Sequence, residues 1–370
     1  MTRRTVSMLL TLAATILLAA CMPANVRQID APRAPAVAKQ ALVDTGEVGG
    51  AAYRIDIPVD WNGELVVNAH GYEPAGSPRK LPLSFPSGME PLLAQGFAIA
   101  ASGYSGQGWA IPEAIADTER LRAHFVARHG PPKRSWLVGW SMGGLVALAS
   151  AERNPRAWDG VVAMCGVAVS SETMFARGAL GPLAAFDAMF PGTLPQAPGG
   201  LADASLPPAA DGEAIEAALA GNEARAATLA KHFDIPRSEL AGSLWLYYLA
   251  LRELAQRAGG FPVDSPTGAG GVDGDEAALG MRIRRYHAVP AALAYVRRTG
   301  ALTGEAKVPV ALQPNALDQV VPARFSSAYL ALATARGRGK QVRALPALGE
   351  GHCGFAPDAV SDALKAVRSQ

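Results

Sequence analysis

The sequence predicts an α/β protein: a mostly parallel central sheet with helices on both faces, interrupted by an inserted helical cap. Three observations carry this. Strand-like and helix-like stretches alternate in βαβαβ order between residues 97 and 164. A glycine-rich turn, Gly139-Trp140-Ser141-Met142-Gly143-Gly144, joins one of those strands directly to a helix. The rhythm breaks at residue 168, and strand-like runs return only beyond residue 300.

The chain begins with what reads as an export signal over residues 1–21. Arg3 and Arg4 precede an apolar run from Val6 to Leu18 that is too short to span a bilayer comfortably, and Pro23 follows at once. The run ends in Leu18-Ala19-Ala20-Cys21, which resembles the bacterial lipobox. That resemblance implies a lipidated Cys21 and a protein anchored to a bacterial membrane. An ordinary cleaved signal would instead leave it periplasmic or secreted. Without Arg3 and Arg4 the 34 basic residues fall level with the 32 acidic ones, and no basic stretch remains. Such a chain lacks the electrostatic footprint of a nucleic-acid binder.

Residues 22–45, with Pro23, Pro32 and Pro35 and no apolar period, read as a flexible tether. The folded core is expected over 46–167 and 301–370. Tyr53 to Ile57 alternates as a strand, Trp61-Asn62-Gly63 makes a turn, and Leu65 to Ala69 and Phe97 to Ala101 are further strands. A helical period starts at Pro112 and stops at Gly130-Pro131-Pro132. Ser135 to Gly139 then reads as strand, Met142 to Arg153 as helix and Gly160 to Met164 as strand. Residues 168–300 read as the cap, with a Pro/Gly-rich stretch near 191–212 and a helix around 244–254 carrying Trp245, Tyr247 and Tyr248. Strands resume at Val308 to Leu312 and Val342 to Leu345, with helices near 322–336 and 358–369. A composition of 49% hydrophobic and 18% charged residues supplies a core for all of this.

The turn at 139–144 fits the G-x-S-x-G nucleophile elbow, with the strand before and helix after that the motif requires. Gly139 and Gly143 allow the sharp turn that projects the Ser141 hydroxyl. A serine hydroxyl is a poor nucleophile at neutral pH, so a histidine must take its proton and a carboxylate must hold that histidine's tautomer. His352 alone follows the last strand, in Gly349-Glu350-Gly351-His352-Cys353-Gly354. Asp318 follows the strand at 308–312 and is the candidate acid, with Glu350 and Glu172 as alternatives. The backbone N–H groups of Tyr72, in His70-Gly71-Tyr72, and of Met142 are the candidate oxyanion donors. His70 is expected to brace that loop. The histidines and cysteines show no metal-ligand spacing, and no cofactor is expected.

These segments resemble secreted bacterial α/β-hydrolases of the esterase, lipase and peptidase superfamily. The resemblance rests on the His70-Gly71-Tyr72 loop, the elbow, Asp318-Gln319-Val320-Val321-Pro322 and Gly351-His352-Cys353. It implies the α/β-hydrolase fold, a triad of Ser141, Asp318 and His352, and a small or medium ester as substrate. A cysteine beside the histidine also resembles tannases and feruloyl esterases, whose partner cysteine immediately precedes the serine; here Trp140 stands there.

Two other functions compete. A serine peptidase or aminopeptidase would need a carboxylate for the substrate amine, and Asp273, Asp275 and Glu276 are candidates. A lipid-tethered binding protein on an inactive hydrolase fold would lack a triad member. With Cys21 committed to lipid, Cys165 and Cys353 remain, and export favours a disulfide between them over a small buried residue and a free thiol. Metabolic labelling with a palmitate analogue tests the anchor: label is expected on the wild-type chain and its loss in Cys21→Ser.

Overall fold

The computed structural model describes residues 41–81, 83–86, 88–194, 201 and 212–369. The leader, Cys21, the tether up to residue 40 and most of the Pro/Gly-rich stretch near 191–212 lie outside the described residues.

The described residues form one eight-stranded sheet. Its strands are β1 (Leu42–Val48), β2 (Ala51–Ile57), β3 (Glu64–Ala69), β4 (Ala98–Ser102), β5 (Arg134–Trp140), β6 (Gly160–Met164), β7 (Val310–Gln313) and β8 (Val342–Ala344). They lie in the order β1-β2-β4-β3-β5-β6-β7-β8. β2 pairs antiparallel with β1 and with β4. Every other pair is parallel.

Helices α1 (Glu90–Ala94), α2 (Ile111–His129) and α3 (Met142–Arg153) connect strands of the first half. Between β6 and β7 lies the cap. It contains α4 (Ser171–Thr173), a π-helical turn over Met174–Ala179, α5 (Leu180–Met189), α6 (Gly212–Ala220), α7 (Glu223–Phe233), α8 (Leu240–Ala258), α9 (Val272–Leu279) and α10 (Pro290–Thr299). The chain then closes with α11 (Arg324–Ala335) and α12 (Ala359–Arg368).

Successive strand residues point to opposite faces, so a sheet covered on both sides needs apolar residues at every position. Leu65-Val66-Val67 and Leu137-Val138 meet that demand. Val66, Ile99, Val138 and Val162 pack with Met89, Leu92, Val360 and Leu364 from α1, its N-cap and α12. Leu65, Val67, Leu137 and Val161 face α2 and α3, and their core runs on without a break into the cap through Phe186, Leu244 and Leu251. Strand order, the antiparallel β2 and the elbow after β5 together define the α/β-hydrolase fold. Among the described residues no helix is long and apolar enough to cross a membrane.

One boundary is corrected. Residues 42–45, read as the end of the tether, belong to β1, which pairs with β2 along its whole length. The strand is largely exposed, so its sequence carries no burial period. It is held by the Gly49-Gly50 turn, both at positive φ, and by Asp44, which accepts from Tyr53 Oη at 3.0 Å. At the other end of the sheet, Glu152 fixes the return from the cap. It accepts from the backbone N–H groups of Thr303 and Gly304, both at 2.7 Å, and from Tyr329 Oη at 2.9 Å. That anchor sits just before β7, the strand that leads to Asp318.

Candidate active site

Ser141 sits between β5 and α3 at φ 53° and ψ −121°. Few residues other than glycine adopt such a backbone, and it occurs where surrounding structure enforces it. The enforcement is steric. A Cβ on Gly139 would lie 2.0 Å from the Gly143 carbonyl oxygen, and one on Gly143 would lie 2.1 Å from that of Ala69. No other residue fits at either flank, which is the physical content of the two motif glycines.

His352 Nε2 lies 2.8 Å from Ser141 Oγ, and its Nδ1 lies 2.9 Å from both oxygens of Asp318. A carboxylate only accepts, so Nδ1 carries the ring proton and Nε2 is left to accept from the serine hydroxyl. The Asp318 side chain is fully buried. Its Oδ1 also accepts from the N–H groups of Val320 and Val321, both at 2.8 Å. The structure therefore brings together Ser141, His352 and Asp318. It does not bring in the two alternative acids: Glu172 pairs with Arg297 at 2.7 Å, and Glu350 is exposed.

The histidine loop has no regular structure of its own and is tied at three points. Cys353 is disulfide-bonded to Cys165, just beyond β6, as expected from the sequence and unlike the tannase arrangement. Asn315 Oδ1 accepts from Cys353 N at 3.0 Å, and its Nδ2 donates to the carbonyls of Leu348 and Gly354 at 3.0 and 3.1 Å. Gly351 N donates to Leu317 O at 2.7 Å, linking the histidine loop to the acid loop.

On the other flank, the His70-Gly71-Tyr72 loop closes on the elbow, with a Cβ on Gly71 falling 3.2 Å from that of Ser141. Met142 opens α3, where the first N–H groups have no acceptor within the helix. His70 stacks on Tyr104 at 3.9 Å between ring centroids and contacts the Gly71 carbonyl at 2.8 Å. Burial pushes its pKa down, so it stays neutral and braces the loop.

Sequence reasoning missed Glu253, on α8. Its carboxylate accepts from Tyr72 Oη at 2.7 Å and from Ala75 N at 2.8 Å, tying the His70-Gly71-Tyr72 loop to the cap. Burial raises its pKa, while those two hydrogen bonds and Arg257 pull it down. The same helix carries Tyr247, whose hydroxyl donates to the Gln319 carbonyl at 2.8 Å. Of the aromatic residues noted there, Tyr247 reaches the site, while Tyr248 is buried beside Arg252 and Trp245 packs near Tyr248. Asn315 was missed as well.

A small cavity of about 30 Å³ opens at Ser141, walled by Tyr72, Trp109, Met174, Phe175, Tyr247 and Val320, among others. A larger one, about 460 Å³, lies between cap and acid loop but does not reach Ser141. Of these two, the smaller is the one lined by Ser141, while Asp318 lines the larger. Asp273, Asp275 and Glu276 are at neither: Asp273 and Glu276 pair with Arg285, and Asp275 with His232 at 2.8 Å. Among the described residues no group of three His, Cys, Asp or Glu side chains is set to hold a metal ion.

Fold and site thus define an α/β-hydrolase scaffold with a serine, histidine and aspartate in hydrogen-bonded series. No family model and no curated protein matches the chain. Solved structures do resemble it. One is dipeptidyl peptidase 4 of Porphyromonas gingivalis, 9% identical with a TM-score of 0.46, the match covering 88% of this chain and 34% of that one. Another is an esterase from Rhodococcus sp., 17% identical with a TM-score of 0.42, covering 89% of this chain and 98% of the other. A third, acylaminoacyl peptidase of Pyrococcus horikoshii, is 11% identical with a TM-score of 0.47, covering 85% and 38%. The chain spans about a third of the length of the Porphyromonas peptidase.

Two outcomes are expected from these ties. Cys165→Ser opens a bridge across 188 residues of sequence. It should lower stability by about 2–4 kcal/mol, read as a drop in thermal midpoint against the oxidised wild type. Glu253→Ala leaves the Tyr72 hydroxyl and Ala75 N–H without their acceptor and should cost about 1–3 kcal/mol in urea denaturation. An unchanged midpoint in either variant would mean that the corresponding tie is idle.

Proposed function

We propose that the chain is a serine hydrolase that cleaves carboxylic esters through an acyl-enzyme. The observation that supports this most directly is the unbroken series Asp318, His352, Ser141 at 2.9 and 2.8 Å, opening on an apolar cavity. Ser141 Oγ attacks the ester carbonyl carbon as its proton passes to His352 Nε2, and Asp318 stabilises the imidazolium that forms. The N–H groups of Tyr72 and Met142 receive the developing oxyanion. The intermediate collapses, the C–O bond to the alcohol breaks, and the alcohol leaves with the proton held on His352. Water then repeats the cycle on the acyl-serine, releasing the carboxylic acid and restoring Ser141.

The walls of the cavity at Ser141 support an ester over an amine-bearing peptide. They are hydrocarbon and aromatic, and the cap carboxylates considered for an aminopeptidase are engaged elsewhere. For location we propose export with a lipid anchor at Cys21, on the strength of the leader; the Cys165–Cys353 bridge is compatible with it.

Labelling by a fluorophosphonate, followed by a panel of nitrophenyl esters and aminoacyl anilides, tests the reading. Labelling with ester turnover is expected; anilide turnover would favour a peptidase, and no labelling an inactive scaffold. Ser141→Ala should abolish labelling and lower turnover by about 10⁶-fold with the fold intact. Asp318→Asn should lower turnover by roughly 10⁴-fold through the wrong imidazole tautomer, and exposed Glu350→Gln far less. A larger loss in Glu350→Gln would overturn the acid assignment.

A further inference from the structure

Beside His70, where β3 and β4 end, lies a third cavity of about 310 Å³, about ten times the one at Ser141. Neither Ser141 nor His352 lines it. Its wall includes two residues with buried polar atoms that the fold leaves without partners. Asn68, paired in register with Ala101 of β4, is 2% exposed, and its side-chain oxygen Oδ1 has no hydrogen bond. An unsatisfied buried acceptor destabilises a fold unless something supplies a donor. Arg79 is the second. Its Nε donates to Glu73 Oε2 and its Nη1 to the Tyr104 carbonyl, both at 2.7 Å, which fixes the guanidinium plane, yet its buried Nη2 has no acceptor. The lining adds Ser102, whose Oγ accepts from Tyr104 N at 3.1 Å, and exposed Lys80, which enters no ion pair among the described residues. Burial keeps His70 neutral, so Arg79 and Lys80 outweigh Glu73 and the wall is positive by one charge.

We propose that this cavity is a binding site for a small hydroxycarboxylate, with its carboxylate on Arg79 and Lys80 and its hydroxyl on Asn68. The assignment follows from what each unpartnered atom lacks. Nη2 can only donate, so it needs an acceptor, and the charge that Glu73 leaves unbalanced favours an anionic one. Asn68 Oδ1 needs a donor, which a carboxylate does not offer and a hydroxyl does. Because a hydroxyl both donates and accepts, it serves the Asn68 amide in either orientation. A carboxylate alone therefore leaves Asn68 unsatisfied, and a neutral alcohol leaves Arg79 so. The site is separate from the proposed chemistry at Ser141 and does not depend on it.

The test is calorimetric titration of the full chain with D- and L-lactate, propionate and lactamide. One lactate enantiomer should bind with a Kd of about 1 mM or tighter. Propionate, which lacks the hydroxyl, and lactamide, which lacks the charge, should bind at least about tenfold more weakly. Ser141→Ala should bind lactate as the wild type does, which separates this cavity from the elbow. Asn68→Leu keeps the branching of the side chain without the unpartnered acceptor. It should lose at least about tenfold in lactate affinity, while its unliganded thermal midpoint stays level or rises by about 2 °C. Lys80→Ala alters only an exposed residue and should weaken lactate at least about threefold at low salt. No lactate binding at about 10 mM means that water alone fills the cavity, and overturns the proposal. Equal affinity for propionate overturns it as well, and so does loss of lactate binding in Ser141→Ala, which would place the ligand at the elbow. Unchanged lactate affinity in Asn68→Leu, or in Lys80→Ala if the first variant does not fold, has the same consequence.

Discussion

At the elbow the backbone of Ser141 is held at φ 53° while β5, α3 and the loop after β3 converge within contact distance around it. A side chain in such a conformation costs on the order of 1–3 kcal/mol, and the strain persists only where packing over-determines it. The packing here is backbone on backbone. The Gly143 carbonyl crowds Gly139, and the Ala69 carbonyl crowds Gly143. The Cα–Cβ bond of Ser141 is therefore aimed by main chain, and whatever reacts with its hydroxyl must be brought to that fixed point.

Everything else at the site is carried in from far along the sequence. His352 is 211 residues from Ser141, and it sits on a loop with no strand or helix to hold it. Fixing an irregular loop opposes about 1–2 kcal/mol of backbone entropy per residue, so a few hydrogen bonds worth about 1 kcal/mol each would be a weak restraint. The structure uses a covalent tie immediately beside the histidine and a buried asparagine that satisfies both sides of the loop at once. Asn315 is 1% exposed and uses its amide as donor and acceptor to three residues of that loop. Asp318 comes from the same segment, so Asp318 and the loop that carries His352 are positioned by one short stretch after β7.

How much of this was legible follows from the range of the interactions. The elbow is local: glycines at 139 and 143 between a strand and a helix carry their own meaning, and β5, α3 and β6 fall within a residue or two of the expected bounds. Asp318 and His352 were readable because chain order narrows the choice. Cys165 and Cys353 were readable by elimination. Glu253 was not, because its partners Tyr72 and Ala75 lie 181 and 178 residues away and its helix shows only an aromatic stripe. Asn315 is an ordinary loop asparagine until the histidine loop folds over it. β1 is a different case. Its residues are too exposed to show a burial period, yet Gly49-Gly50 is a two-residue hairpin signal that could have disclosed it.

The cap is more than a cover, because α8 touches both loops that flank Ser141. Leu246, Ala250 and Glu253 stand at i, i+4 and i+7 on one face of that helix, with Tyr247 beside them. Glu253 grips the loop at Tyr72 and Ala75, Tyr247 grips the loop after Asp318, and Leu246 and Ala250 form part of the cavity wall between the two grips. A displacement of α8 large enough to widen the cavity would have to break one of those hydrogen bonds. Each is part-buried, and a buried group left unsatisfied costs about 1–3 kcal/mol. The part of the wall on α8 and the geometry around Ser141 are therefore coupled through one helix: Leu246 and Ala250 stand between the two side chains that hold the loops on either side.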